Sequence, residues 1–425
     1  MQAERRALQV RPAVLTAAPH ARVQIPFAVA NRLIADALEP PLELPVPLGK
    51  LGPLAPFIGG IRAIPREVKL GPGAAPGRVH ADVRVELADR TGELVTVRAG
   101  GDLAPVLERA GGDPANPGAG GGKLTIAFDP GQLSRLEPEL GPRASEQLGA
   151  LLQARLPAVV RDRIPRALVD RVAAEVVEEA IDYSYRVLHK TLLPRLRERT
   201  RIEVELPDVP ISRVELASSP TALSLDVFTT LPVREGVGAA PPETDAIGLQ
   251  LAGGTATEAA NWGIANGVLP GRYTRSLKPA PDGAYVPHFE WRAGDPERPL
   301  VVHMFKVHGG CAHFAVGVQP RVEVRDGEVR AWIENRKLEQ ADGSLALELL
   351  ARTKALVERS TSPKKKGPGS MRLTVGGREV TSRLVRAEVA GNELRVAIAI
   401  AIAPPAAAPP VAAATPAPQP RRGSR

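Results

Sequence analysis

The hydrophobic pattern of residues 166–196 predicts one long amphipathic helix. Apolar side chains recur there at intervals of three and four, at positions that include Val172, Val176, Ile181 and Leu188, and charged residues occupy the intervening face. At about 1.5 Å per residue, such a helix would extend roughly 45 Å and would need a long apolar surface to pack against. Because most other patterned segments are typical of strands, we expect that surface to be a β-sheet.

Alternating apolar and polar residues predict antiparallel strands on both sides of this helix. Residues 78–87 and 93–98 flank a turn-forming stretch at 89–92, which is a strong hairpin signal. Shorter helices are predicted at 27–38 and 257–266. A proline- and glycine-rich stretch at 235–245 is the best candidate for a domain boundary.

These elements predict an α+β protein of two modules. We divide the chain into an N-terminal extension (1–20), a first module (21–234), a linker (235–245), a second module (246–403) and a disordered Pro/Ala-rich tail (404–425). Residues 28–35 also echo residues 258–265. One short match is weak support for a repeat, and the matching order of elements in the two modules counts for more.

Two uncommon strand patterns bear on function. Over its last seven positions, the segment 394–402 alternates large apolar residues with alanine, and residues 222–231 carry apolar side chains on both faces. Buried strands alone explain this pattern. The alternative is a curved sheet whose inner face lines an apolar cavity against the long helix, where an acyl chain would gain about 0.8 kcal/mol per buried CH₂.

Composition narrows the partners. Only 3% of the 425 residues are aromatic, so aliphatic side chains must form the cores, and the net charge of +8 comes mainly from dispersed arginine. The one dense basic run, Lys364, Lys365 and Lys366, is interpreted either as a solvated loop or as a contact with anionic lipid head groups. No basic stripe alternates with stacking aromatics, so no nucleic-acid partner is expected.

The chain has a single cysteine and therefore no intrachain disulfide. No apolar leader and no membrane-spanning run is visible. We expect a soluble protein with a cytoplasmic location, with export by another route left open.

Catalytic motifs are not found. There is no Gly-x-Ser-x-Gly elbow and no His-Glu-x-x-His helix, and residues 117–124 lack the first glycine and the Ser/Thr of a phosphate loop. We therefore predict neither enzymatic activity nor a cofactor.

The nearest approach to a metal site is formed by His308, Cys311 and His313. If the intervening Gly-Gly pair forms a two-residue turn, Lys306 pairs with His313, and Met304 shares a face with all three candidate ligands. Lys306 on that same face and the lack of a fourth strong ligand argue against a metal, so no metal is predicted.

The order of elements resembles the tubular lipid-binding superfamily, of the bactericidal/permeability-increasing and lipopolysaccharide-binding protein type. The similarity includes a strand-turn-strand at 214–227 before the linker. The second module then opens with Ile247-Gly248-Leu249 and a short helix that ends near Gly267-Val268-Leu269. The resemblance implies a boomerang of two pseudo-symmetric modules, each a highly curved antiparallel sheet wrapped around a long helix. It implies the following lipid-lining residues: Phe27, Leu33, Val172, Val176, Ile181, Leu188, Ile247, Leu249 and Trp262.

We therefore predict non-enzymatic binding or transfer of a lipid, a phospholipid or another acyl-chain amphiphile. The alternative is a two-module interaction or scaffold protein with solid cores and no ligand.

Overall fold

The computed structural model describes residues 17–37, 44–46, 61–89, 92–110, 122–128, 137–140, 201–205, 209–239, 242–274, 278–307, 312–325, 328–342, 364–366, 373–375 and 378–402. Over these ranges the chain is mainly antiparallel sheet with two helices, α1 (Phe27–Ala37) and α2 (Gly253–Ala265), as expected of an α+β protein. The predicted long helix at 166–196 and the tail at 404–425 lie outside the described residues. Among the residues described, neither helix has the length and apolar character needed to cross a bilayer.

The described strands of the predicted first module are β1 (Ala21–Pro26), β2 (Leu44–Val46), β3 (Ile61–Pro72), β4 (Val79–Asp89), β5 (Gly92–Leu103), β6 (Pro105–Ala110), β7 (Lys123–Phe128), β8 (Glu137–Leu140), β9 (Ile202–Glu205), β10 (Ile211–Ser218) and β11 (Ala222–Thr229). Those of the predicted second module are β12 (Ile247–Ala252), β13 (Tyr285–Trp291), β14 (Leu300–Lys306), β15 (Ala312–Arg325), β16 (Glu328–Asp342), β17 (Lys364–Lys366), β18 (Leu373–Val375), β19 (Arg378–Ala390) and β20 (Glu393–Ile402).

A ten-stranded sheet joins strands from both sides of the predicted linker. Its order is β10-β11-β1-β12-β20-β19-β18-β9-β7-β6. Its third and fourth strands, β1 and β12, run antiparallel, with Val23 opposite Leu249. Two five-stranded sheets, β2-β3-β4-β5-β8 and β13-β14-β15-β16-β17, complete the described strands.

The same strand–helix unit occurs twice, once from each strand of the β1–β12 pair. β1 leads directly into α1, and β12 leads directly into α2. The hairpin β10–β11 flanks β1, and the hairpin β19–β20 flanks β12, so the order of these six strands is symmetric about the β1–β12 pair.

The two helices use the same side-chain device to hold the next long strand. Asn31 of α1 donates from Nδ2 to the carbonyl of Leu70 in β3 at 3.0 Å and accepts from the Leu70 N–H at 2.7 Å. Asn261 of α2 makes the same pair of bonds with Phe289 in β13, at 2.8 and 2.9 Å. These asparagines occupy matching places in the echoing segments 28–35 and 258–265. The echo therefore corresponds to a repeated contact.

Around α1 the space between helix and sheet is filled. Phe27, Val29 and Leu33 project from α1 into a cluster of buried side chains that includes Ile247 and Ile398 of the central sheet. Each such side chain contributes about 1.5–3 kcal/mol when fully buried. This cluster joins β1, α1, β12 and β20 and so fixes the centre of the fold.

Candidate functional site

Seven of the thirteen residues of helix α2 are alanine or glycine, so most of its positions carry little side-chain volume. Its first residue, Gly253, lies so close to Trp291 that any Cβ there would overlap the indole ring. Further along, Asn261 ties the helix to β13 through Phe289. The helix is thus fixed against β13 at two points, Gly253 and Asn261, and its many small side chains leave space between helix and strand.

The N-terminal turn of α2 is anchored to the start of β1. The Thr255 hydroxyl donates to the backbone carbonyl of His20 at 3.0 Å, and the Ala252 N–H donates to the same oxygen at 3.1 Å. The His20 ring accepts the Thr229 N–H at Nδ1, 3.0 Å away. Burial, and then the charge of Arg213, lower the pKa of His20, so the neutral ring is favoured at this junction.

A cavity of about 520 Å³ lies between α2 and β13. On the helix side it is lined by residues spaced three and four apart, which is one face of a helix. The lining residues are Glu258, Asn261, Trp262, Ile264 and Ala265 of α2; Val286, Pro287 and His288 of β13; and Leu231, Pro232, Gly271, Arg272 and Val307.

The chemistry of this lining is mostly apolar with a few polar groups. Trp262 is the largest apolar side chain of the lining, and Val286 lies on the facing strand. The charged lining residues are Glu258 and the exposed Arg272. An apolar cavity with a small number of polar groups is the usual form of a small-molecule site, and typical volumes are about 300–1,000 Å³.

Behind the cavity wall, three histidines lie on one face of the β13–β14–β15 sheet. His288, a lining residue, is directly opposite His303, and their ring centroids are 6.1 Å apart. His303 Nδ1 faces His313 Nε2 at 3.2 Å, so one of these nitrogens donates and the other accepts. Phe305 stacks on His313 at 4.4 Å. The buried ladder of rings gives the sheet a rigid face beneath the cavity.

Two carboxylates flank this ladder. Glu290 Oε2 is 3.2 Å from His303 Nε2, and Asp342 Oδ2 is 3.8 Å from His313 Nδ1. Arg292 contacts Glu290 and also Glu339. Burial acts to lower the pKa of Arg292, but the hydrogen bond and charge of Glu339 and the charge of Glu290 raise it overall. The guanidinium therefore stays charged and neutralises acidic groups near the buried histidines.

The predicted register of this hairpin is wrong. Lys306 pairs with Ala312 and Phe305 pairs with His313, so five residues, 307–311, separate the strands instead of the two required by the predicted turn. A shift of one residue moves every side chain to the other face, and His313 therefore points away from the face of Met304. His308 and Cys311 lie outside the described residues. In the part of the chain that is described, no three His, Cys, Asp or Glu side chains are grouped as metal ligands.

The predicted lining residues fall in different places. Trp262 lines the cavity. Phe27, Leu33 and Ile247 lie in the packed cluster around α1, and Leu249 is half-buried in β12 opposite Val23 and Val396. Val172, Val176, Ile181 and Leu188 lie outside the described residues. The basic run Lys364–Lys366 forms β17 and pairs with residues 329–331 of β16. A loop was the simpler interpretation of its sequence.

Sequence reasoning missed the other wall of the cavity. Val286 and His288 belong to β13, for which no strand was predicted, and Leu231 and Arg272 lie in connecting segments. The high share of alanine and glycine at 253–265 was the available signal, because positions with little side-chain volume leave space beside a sheet.

No protein-family model matches this sequence, and a comparison with curated proteins finds no match. Among solved structures, P47 from Clostridium botulinum A2 is similar over 90% of this chain and 97% of that chain, with a TM-score of 0.37 and 6% identity. P47 of Clostridium botulinum E1 is similar over 90% and 99%, with a TM-score of 0.38 and 8% identity. A lipopolysaccharide binding protein is similar over 91% and 99%, with a TM-score of 0.23 and 9% identity. Membership of the tubular lipid-binding superfamily stays a prediction.

Proposed function

We propose that this protein binds a lipid or another acyl-chain amphiphile, without catalysis, in the cavity between α2 and β13. The observation that carries the proposal is the cavity itself, about 520 Å³ of mostly apolar space beside Trp262. An acyl chain needs no polar machinery to be held there, because burial alone favours binding by about 0.8 kcal/mol per CH₂. Ten buried methylenes would thus contribute roughly 8 kcal/mol before the cost of association.

The two strand–helix units support a two-module architecture, and the two modules would have different roles in ligand binding. Asn31 and Asn261 hold the two helices to their strands in the same way. The two helices differ at one matched position, where α1 has the buried Leu33 and α2 has Gly263, and the residues on either side of that glycine, Trp262 and Ile264, line the cavity. We propose that the second module carries the ligand and that the α1 region is structural. The wider boomerang arrangement remains part of the proposal.

The second candidate function is a scaffold with solid cores. It is favoured by the cluster around α1, in which Phe27 and Leu33 are tightly packed against Ile247. In that case the space beside α2 would be an incidental gap, and the protein would hold no lipid.

Replacing Val286 with Trp tests the choice between the two functions. Val286 lines the cavity, so a larger side chain should fill empty space, leave stability within about 1 kcal/mol and abolish uptake of a fluorescent fatty acid. Val302→Trp is the matched control, because Val302 is a half-buried strand valine packed in the cluster of Tyr285, Met304 and Phe314. Overpacking there should cost roughly 1–3 kcal/mol.

Native mass spectrometry of the purified full chain gives the direct measurement. The proposal expects an adduct in the mass range of a lipid, which organic extraction removes and added fatty acid restores. A chain that carries no adduct, takes up no fluorescent fatty acid or phospholipid, and loses as much stability in Val286→Trp as in Val302→Trp would establish the scaffold instead.

A further inference from the structure

The loop that follows α2 exposes two adjacent large apolar side chains. All six residues from 265 to 270 are exposed, and within this run Val268 is 56% and Leu269 42% exposed. Among the described residues, Val106 and Val385 are the other large apolar side chains with comparable exposure, and they lie singly on β6 and β19. Single exposed apolar residues are ordinary, whereas an adjacent pair forms a continuous exposed apolar patch, the kind of feature that makes a segment a candidate contact surface.

This loop forms part of the rim of the cavity. The Leu269 N–H donates to the carbonyl of Gly263 at 2.9 Å, which folds the loop back onto the last turn of α2. On one side of the loop, Ile264 and Ala265 line the cavity; on the other, Gly271 and Arg272 do. An apolar surface that contacts Val268 and Leu269 is therefore next to the opening.

The segment around the loop is basic. Residues 259–281 contain three basic side chains and no acidic one. Arg272 and Lys278 are exposed and are held together by a short hairpin, in which the Ala280 N–H donates to the Arg272 carbonyl at 3.0 Å and the Thr274 N–H to the Lys278 carbonyl at 2.8 Å. Exposed apolar residues and basic neighbours together are the usual composition of a bilayer-contacting surface.

We infer that residues Val268, Leu269, Arg272 and Lys278 form a docking surface for an anionic lipid bilayer, named here the rim surface. Val268 and Leu269 enter the boundary between head groups and acyl chains, and the two cations contact anionic head groups. Docking would bring the cavity opening to the membrane. That consequence rests on the proposed lipid binding, whereas docking itself does not.

Cosedimentation of the full chain with phosphatidylcholine vesicles, with and without phosphatidylglycerol, tests the inference. The chain should bind the anionic vesicles and lose binding as salt increases. Val268→Asp should lower the partition coefficient by at least about tenfold, since burial of a valine is worth about 1.5 kcal/mol or more. Lys278→Ala should lower it about fivefold, the equivalent of about 1 kcal/mol per cation near such a surface. Val385→Asp, the same change at a valine that is 39% exposed on β19, should leave it unchanged.

The inference is overturned if the wild-type chain ignores anionic vesicles, or if Val268→Asp and Lys278→Ala bind as tightly as Val385→Asp. Thermal unfolding of each variant shows whether it is folded. If Val268→Asp does not fold, the vesicle binding of Lys278→Ala decides between the outcomes. Lipid retention, measured by native mass spectrometry, separates the two proposals. If Val268→Asp is folded and keeps its lipid adduct but no longer binds the vesicles, the docking surface is supported. If the wild-type chain binds the vesicles but carries no lipid adduct, only the proposed lipid binding is refuted.

Discussion

Replacing Asn261 with alanine should release β13 from α2 and open one wall of the cavity. The substitution removes both hydrogen bonds between this side chain and the Phe289 backbone, 2.8 and 2.9 Å long. β13 is the outer strand of its sheet, so no neighbouring strand can replace them. Each bond contributes about 1 kcal/mol, and an unpaired backbone group costs about 1–3 kcal/mol where water cannot reach it. Because Asn261 is half-buried, we expect a loss of about 2–4 kcal/mol.

Urea unfolding measures that loss, and hydrogen exchange of the Phe289 amide locates it. Asn266→Ala is the matched control, because Asn266 is exposed and its side chain donates one bond, to the Trp262 carbonyl at 2.8 Å. We expect that control to cost under about 1 kcal/mol and to leave the Phe289 amide protected. Equal costs in the two variants, with the Phe289 amide still protected in Asn261→Ala, would show that packing rather than these bonds holds α2 to β13.

Three further substitutions give clear expectations. Gly253→Ala places a Cβ in the Trp291 ring and should lower the free energy of unfolding by at least about 1–3 kcal/mol. Gly254→Ala places its Cβ 3.5 Å from a side-chain carbon of Val233, so it should be neutral or stabilise by up to about 1 kcal/mol. Thermal unfolding measures both changes. The lowered pKa of His20 means that the unfolded chain takes up a proton first, so the unfolding free energy should fall as the pH decreases below about 6.5. Urea unfolding of His20→Gln at about pH 7.5 and about pH 5.5 should show a smaller fall than in the wild type.

Elements defined by local pattern were predictable from the sequence. The helix predicted at 27–38 is α1, and the hairpin predicted at 89–92 joins β4 and β5 with Asp89 opposite Gly92. Strand β13 was missed because Pro287 interrupts its pattern. The Phe289 N–H points to the outer edge of the sheet, where it donates to Asn261. Residues two apart on a strand direct their backbone nitrogens to the same side, so Pro287 lies where no N–H is needed to pair with β14, and proline is tolerated.

The register of β14 and β15 could not be predicted from the glycine pair alone. A two-residue turn at Gly309-Gly310 satisfied the local rule, but the pairing of Lys306 with Ala312 leaves a five-residue connection. The buried contacts of His303 and Phe305 with His313 require that register, and they come from a face of the sheet whose burial was unknown from the sequence. Burial of the sheet face, and not the turn, determined which side chains meet.

The cavity follows from a difference in side-chain volume on a shared frame. Because Asn31 and Asn261 fix each helix to the backbone of its strand, neither helix can move inward to close a gap. On α1 the buried Leu33 fills part of the space between helix and sheet, while the matching residue of α2 is Gly263, and the space beside its neighbours Trp262 and Ile264 stays open. Packing normally closes a gap between a helix and a sheet, because the side chains that border the gap lose contacts. Under the proposed lipid binding, an acyl chain beside Trp262 would restore those contacts.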